Sequence, residues 1–284
     1  MEIPLGVTFA VLGAALLHAS WNAIIKSGRD PLLDTALIGI CKSALLLPLL
    51  ALWPAPAPAA WPFMAASVVV HVGYYTALAG AYKAGDLSHG YPIMRGTAPL
   101  ITALGTWLVL GESLSPGAAI GVLLICAGVL SLAYVGNAAG GGATRHATLW
   151  ALLNALIIAL YTLADGNGVR VSGNALGYVV WLNFCNGLPF SLCVLAVKRG
   201  AFLRHASTPR NVGRGVSGAL LASTSYGVAL WAMTHAPVAI VAALRETSVI
   251  FGSLIGAWFL REGRVQQRLS GAALVLAGLV ALKL

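Results

Sequence analysis

The amino-acid sequence predicts an all-α, polytopic membrane protein whose ten transmembrane helices form two inverted five-helix repeats. Three observations predict it. Of 284 residues, 59% are hydrophobic and 9% charged, with a mean hydropathy of +0.87, whereas a soluble domain carries about 25% charged residues. The apolar residues fall into ten runs, each of a length to cover the ~30 Å hydrocarbon core with about 20 residues of helix. Finally, residues 95–112 (RGTAPLITALGTWLVLGE) and 245–262 (RETSVIFGSLIGAWFLRE) match at an offset of 150 that pairs Arg95 with Arg245, Thr97 with Thr247 and Glu112 with Glu262. The same offset pairs Gly121 with Gly271 and Gly128 with Gly278, the mark of an internal duplication.

The runs are 4–26, 32–52, 61–82, 87–110, 116–136, 146–166, 175–197, 213–234, 238–260 and 269–284. The first is kept as a span rather than a cleaved signal, because Met1 and Glu2 supply no basic leader and Lys26 and Arg29 follow the run instead. Residues 136–144 (GNAAGGGAT) divide the chain into expected units 1–136 and 145–284. Five spans per unit place the second upside down relative to the first, an arrangement that puts a binding site between the halves near the midplane.

Net charge +9 does not indicate nucleic acid, because the basic residues mark loops rather than a soluble face. Loops after odd-numbered runs carry twelve Lys and Arg; those after even-numbered runs and the tail carry only Arg170 and Lys283. Basic loops remain cytoplasmic, so both termini are expected outside. The four cysteines sit in apolar runs without CxxC spacing or a histidine cluster, which indicates neither metal site nor disulfide framework.

Candidate site residues follow from polar groups inside apolar runs. His18 and Asn22 are four apart in the first run, and Tyr161 and Asp165 share that spacing in the sixth. They line a cavity or hydrogen-bond neighbouring helices. Trp53 and Trp61 flank a proline-rich connector between the second and third runs and suit the membrane interface. Lys42, in the second run, faces the bundle or snorkels, and its role stays open. In the third run His71, Tyr75 and Tyr82 share one face, and the eighth contains Tyr226 and Trp231; such stripes serve packing or ligand contact.

The fourth and ninth runs carry Arg95, preceded by Tyr91 and Pro92, and Arg245, which follows Pro237. An arginine at the centre of a span costs about 2.5 to 3.5 kcal/mol, so each needs protein or water around it and a partner. Asp86, Asp165 and Glu246 are the available acids, and Glu246 points about 100° away from Arg245 on a helix. Gly252 with Gly256 and Gly117 with Gly121 permit close helix approach. Glu112 and Glu262, closing the fourth and ninth runs at opposite faces, cap helix ends or gate the cavity.

At PLITALGTWLVLGESLSPGAAIGVLLICAGV and VIFGSLIGAWFLREGRVQQRLSGAALVLAGL the sequence resembles the drug/metabolite transporter superfamily, specifically its ten-helix EamA-type permeases. The resemblance spans the chain, and ALRETSVIF at 243–251 looks most like bacterial amino-acid and metabolite exporters, including those for aromatic amino acids. It implies a bacterial inner-membrane secondary transporter, not an enzyme, working by alternating access on a central cavity. One departure stands out: four-helix multidrug members of the superfamily couple to protons through a glutamate in the first helix, where this chain has His18 and Asn22.

Export of neutral or aromatic amino acids is the expected function, with multidrug or other metabolite efflux, such as of nucleotide-sugar-like molecules, as the alternative. In this reading Arg245 or Arg95 holds a carboxylate, and His71, Tyr75, Tyr226 and Trp107 accommodate the side chain. His18, Asn22, Tyr91, Tyr161, Asp165 and Glu246 complete the expected lining, and the inverted repeat brings the two arginines to the cavity from opposite sides. A monomer in the lipid bilayer, with a small-molecule substrate and no cofactor or metal, is the expected state.

Overall fold

The computed structural model describes residues 3–84, 87–138, 145–259 and 265–282. Among these residues every regular element is helical. The first half contains α1 (Leu5–Lys26), α2 (Pro31–Leu46), α3 (Trp61–Ala84), α4 (Leu87–Leu110) and α5 (Pro116–Ala138). The second contains α6 (Arg145–Val171), α7 (Ala175–Val197), α8 (Arg199–Ala206), α9 (Pro209–Met233), α10 (Val238–Arg245), α11 (Ser248–Phe259) and α12 (Val265–Ala281). Among the described residues six segments are long and apolar enough to cross a bilayer, in α1, α2, α4, α6, α7 and α9, and the layout is compatible with ten crossings. Phe9, Val69, Val109 and Val280 point outward, as lipid-facing side chains do.

Local chemistry sets the helix ends. Pro31 opens α2 where its missing N–H is not needed, and Asp30 accepts from Leu32 N (3.0 Å) and Leu33 N (3.1 Å). Gly111, at φ +64°, ends α4 in the left-handed conformation that glycine adopts without strain. The second run leaves α2 at Leu46 and continues as a 3-10 turn, Pro48–Ala51; the proline-rich connector after it contains another, Pro58–Ala60, and docks on the α6–α7 turn through Ala57 N to Ser172 O (3.0 Å).

Contacts between helix ends define two ends of the bundle. At one, Arg214 at the start of α9 donates to Ile24 O at the end of α1. At the other, Arg170 at the end of α6 meets Glu112 beyond α4 and Met233 O at the end of α9. The first carries the basic residues that close or follow α1 and α7, Lys26, Arg29, Lys198 and Arg199 among them, and is called the basic end; the second is the far end.

The halves are related by a two-fold arrangement legible in their contacts. Across α5 and α12, a Cβ on Gly121 would lie 2.9 Å from Gly278 O, and one on Gly128 would lie 2.7 Å from Gly271 O. Since Gly271 and Gly278 are the repeat counterparts of Gly121 and Gly128, each position meets its neighbour's counterpart, as at a two-fold interface. The α2–α7 crossing repeats the pattern. A Cβ on Gly39 would meet Gly187 O at 2.7 Å and one on Gly187 would meet Gly39 O at 2.6 Å. Ser43 packs over Gly187 and Ser191 over Gly39, a match at offset 148 that a fixed 150-residue comparison misses. Elsewhere α1 packs on α9 as α3 packs on α6, and α1 on α11 as α4 on α6.

The structure corrects several expectations. Residues 238–260 form two helices, not one. The chain tightens at Glu246 and Thr247, with i to i+3 bonds from Glu246 N to Ala243 O (3.0 Å) and from Thr247 N to Leu244 O (3.2 Å). Thr247 Oγ1 also donates to Leu244 O (2.7 Å), competing with the helical bond there. The loop after the seventh run contains the short helix α8, whose Phe202 is buried against α2 and α7 side chains while its basic residues remain outside. Residues 136–138 extend α5 instead of starting the linker, whose residues 139–144 lie outside the described residues. A Cβ on Gly252 would meet nothing within 4 Å, so it marks no close approach. Asp86, Glu262, and the side chains of Tyr75 and Tyr82 lie outside the described residues.

Candidate functional site

A cavity lies between the halves, walled by α1, α2, α3, α4, α6, α7, α9 and α10. It leaves about 110 Å³ for the centres of water-sized spheres, room for several waters. Its lining reaches Thr35, one turn into α2, and Phe190 and Ser191 in the last third of α7, so the mouth is toward the basic end. The far half is packed solid by Tyr178, Leu230, Met233, Val238 and Leu244. Arg170 adds a polar latch there: it donates to Met233 O (2.8 Å) and Ala236 O (3.1 Å) and pairs with Glu112, which accepts from Val238 N (3.3 Å).

Arg95 and Arg245 both line this cavity, one from each half of the chain. Their surroundings differ. Arg95 Nε lies 2.8 Å from Glu246 Oε2, both side chains buried, at an angle outside hydrogen-bond geometry; the contact is an ion pair across the two halves, and Arg95 Nη2 has no hydrogen-bond partner. Among the described residues Arg245 has no carboxylate partner. Its guanidinium stacks 5.1 Å from the centroid of the Tyr226 ring.

The repeat explains this inequality. If Arg95 meets Glu246, two-fold symmetry brings Arg245 toward the counterpart of Glu246, which is Gly96. Position 96 has to be small, because a Cβ there would lie 2.7 Å from Leu130 Cγ and 3.2 Å from Cys126 O on α5. The counterpart position therefore supplies no acid for Arg245.

Asp165 sits behind the wall, fully buried. It accepts from Ser67 Oγ (2.9 Å), Tyr178 OH (3.2 Å) and Tyr226 OH, so Tyr226 separates it from the cavity. Tyr161 lies on the wall with its ring centroid 4.2 Å from that of His71. His71 Nδ1 lies 2.8 Å from Ser67 O, which can only accept, so Nδ1 carries the proton and Nε2 is an acceptor. His18 has the opposite tautomer: its Nδ1 accepts from Trp21 Nε1 (3.3 Å), leaving Nε2 as donor. The wall thus offers donors, acceptors and aromatic faces around cationic groups.

Of the expected residues, His18, His71, Arg95, Tyr161, Tyr226 and Arg245 meet at the cavity, with Asp165 and Glu246 directly behind. Three do not. Trp107 is 59% exposed on the outer face of α4. Asn22 Nδ2 donates to His18 O (2.8 Å) on its own helix, and Tyr91 packs among apolar side chains. Tyr75 cannot be placed, its side chain being outside the described residues. Sequence reasoning missed Trp21, Tyr74, Asn183 and Asn186, and gave Lys42 no role although it lines the cavity. Asn183, Asn186 and Ser191 line the cavity from α7, and the matching motifs at 39–43 and 187–191 point to that stretch of α7 without including the two asparagines.

The sequence profile of the EamA-like transporter family matches residues 5–134 and 146–283. The chain belongs to the EamA-like transporter family. Like that family it is a multi-pass membrane transporter of small molecules and not an enzyme. No curated protein matches the EamA-like chain. A solved structure, titled only as a crystal structure of a protein, covers 97% of this chain and 94% of its own at 18% identity and a TM-score of 0.71, a likeness that shows the fold alone.

Proposed function

We propose that this EamA-like protein exports small carboxylate-bearing metabolites, neutral and aromatic amino acids among them, across the bacterial inner membrane by alternating access. The observation that carries this reading is Arg245: a buried cation on the wall of a central cavity, without a carboxylate partner among the described residues. A guanidinium in that setting recognises a carboxylate by paired, charge-assisted hydrogen bonds. Tyr74, Tyr161, Tyr226 and His71 form an aromatic wall for the rest of the ligand.

The sealed far end and open basic end fit one state of an alternating-access cycle, and the related halves provide the means for its counterpart. With basic loops cytoplasmic, the mouth faces the cytoplasm and both termini are periplasmic. The units 1–136 and 145–284 act as the two rocking bodies of a monomer. Efflux of cationic drugs is disfavoured because the wall is itself cationic. Uptake of labelled amino acids and organic acids into proteoliposomes tests the proposal. Wild type should carry at least one carboxylate-bearing ligand and Arg245→Ala should not; no carboxylate transport by wild type would refute it.

A further inference from the structure

Lys42 lies eleven residues after Pro31 and nine before Ala51, near the middle of the apolar segment Pro31–Ala51, and it lines the cavity. Its stem runs along the α2–α7 crossing, where a Cβ on Gly187 would lie 3.4 Å from Lys42 Cε; the glycine opens the path by which the ammonium reaches the cavity. Among the described residues Lys42 has no acidic partner. A lysine at that depth needs water or an anion beside it.

The cavity wall therefore presents Lys42, Arg95 and Arg245, and no carboxylate among its lining residues. They surround a common space: His71 lies within Coulombic range of Lys42 and Arg245, and His18 of Arg95 and Arg245. Two acids lie behind the wall, Glu246, paired with Arg95, and Asp165, hydrogen-bonded by Tyr226, and both also act electrostatically on Arg245. Even with both counted as ionised, one positive charge is left over. A zwitterion would bring no net charge to offset it, and its ammonium would find only neutral acceptors such as Asn186 Oδ1, which is buried without a partner.

We infer that the cavity selects small organic anions of net negative charge over net-neutral zwitterions, with Lys42 holding a second acidic group while Arg245 holds the first. The inference rests on the transport reading above and narrows its substrate class. Arg245 offers a planar fork suited to a carboxylate or phosphate, and Lys42 a point charge that tolerates either. Charge complementarity of this kind sets specificity by penalising the wrong ligand as much as by attracting the right one.

The test is calorimetric binding to the full-length protein in detergent, with succinate, 3-phosphoglycerate and phenylalanine as probes, followed by proteoliposome uptake of each. At least one anion should bind wild type about tenfold or more tightly than phenylalanine, and which anion wins separates a carboxylate from a phosphate as the second group. Lys42→Met should reduce that ratio to within about threefold, and Lys42→Arg should retain it. A wild type that prefers phenylalanine overturns this inference and leaves carboxylate transport standing. An equal loss for all three probes in Lys42→Met also overturns it, since that is what a merely structural lysine would give. If wild type moves none of them or any other carboxylate, the transport reading falls and this inference falls with it.

Discussion

Arg95 and Arg245 occupy the same position in two copies of one ancestral unit, 150 residues apart, and the structure gives them different work. Arg95 sits within a continuous α4, among Pro92 and Pro99, and is tied to Glu246 of the other half. Arg245 ends α10 at the point where the chain tightens, stacks on Tyr226 and has no carboxylate partner among the described residues. The difference reduces to one pair of counterpart positions. Residue 246 lies in a turn and admits a glutamate; residue 96 is pressed against α5 and admits only glycine. Duplication supplies two equivalent cations, and packing at a neighbouring position pairs one with an acid and leaves the other, among the described residues, without one.

The largest effect expected from this comparison is on stability. Arg95→Ala would leave Glu246 as an unpaired buried carboxylate, for which a loss of about 3 to 5 kcal/mol is expected. The double variant Arg95→Met, Glu246→Gln should recover most of it, because the isolated charge is gone. Thermal or denaturant unfolding in detergent measures both, and a double variant no better than the single would show that the pair is not coupled. Arg245→Ala should behave differently: carboxylate binding weaker by about 2 kcal/mol, ~30-fold, with the ligand-free unfolding midpoint nearly unmoved. Equal destabilisation by the two alanine variants would erase the distinction between them.

These contrasts also mark how far the sequence could be read. The all-helical membrane fold and the duplication were legible because hydropathy and a constant offset are properties of the string itself. Arg95 and Arg245 were legible as buried cations for the same reason, since an arginine in an apolar run needs an explanation. Their partners were not. Glu246 follows Arg245 in sequence and belongs to Arg95 in space, a consequence of crossing helices that local spacing does not encode. Lys42 was legible as a cation in an apolar run but without a role, and the α7 asparagines were passed over because uncharged amides in such a run serve helix packing as readily as a ligand. Trp107 failed in the other direction: aromaticity suggests a ligand wall, but which side of α4 faces lipid is decided by the neighbours of α4, and Trp107 is on the outside.

Where the halves remain alike, symmetric variants should have equal effects. Gly128→Ala would drive a methyl to 2.7 Å from Gly271 O, and Gly271→Ala to 2.8 Å from Gly128 O. Each should destabilise by about 1 to 2 kcal/mol, the lower part of the range for overpacking, and by the same amount within error. Unfolding of the two single variants checks this; a clear inequality would show that the α5–α12 contact has lost the two-fold character of the repeat.

The smallest effect concerns the far end. Glu112 links the first half to the second twice, through Arg170 on α6 and through Val238 N at the start of α10. If the latch holds the far end closed, weakening it shifts the balance of states without unfolding either half. Glu112→Gln keeps the shape of the side chain and removes its charge. Because Glu112 and Arg170 are 20% and 29% exposed, solvent screens the pair, and about 1 kcal/mol is the appropriate scale. That should raise the population of the far-end-open state about fivefold. Val241, fully buried on α10 beyond the latch, reports it: with Cys41, Cys126, Cys185 and Cys193 replaced, a Val241→Cys reporter should react about fivefold faster with a membrane-impermeant maleimide from the far side when Glu112→Gln is present. An unchanged rate would mean that the packed apolar side chains between Tyr178 and Leu244 close the far end by themselves, and that Glu112 and Arg170 only trim the helix ends they join.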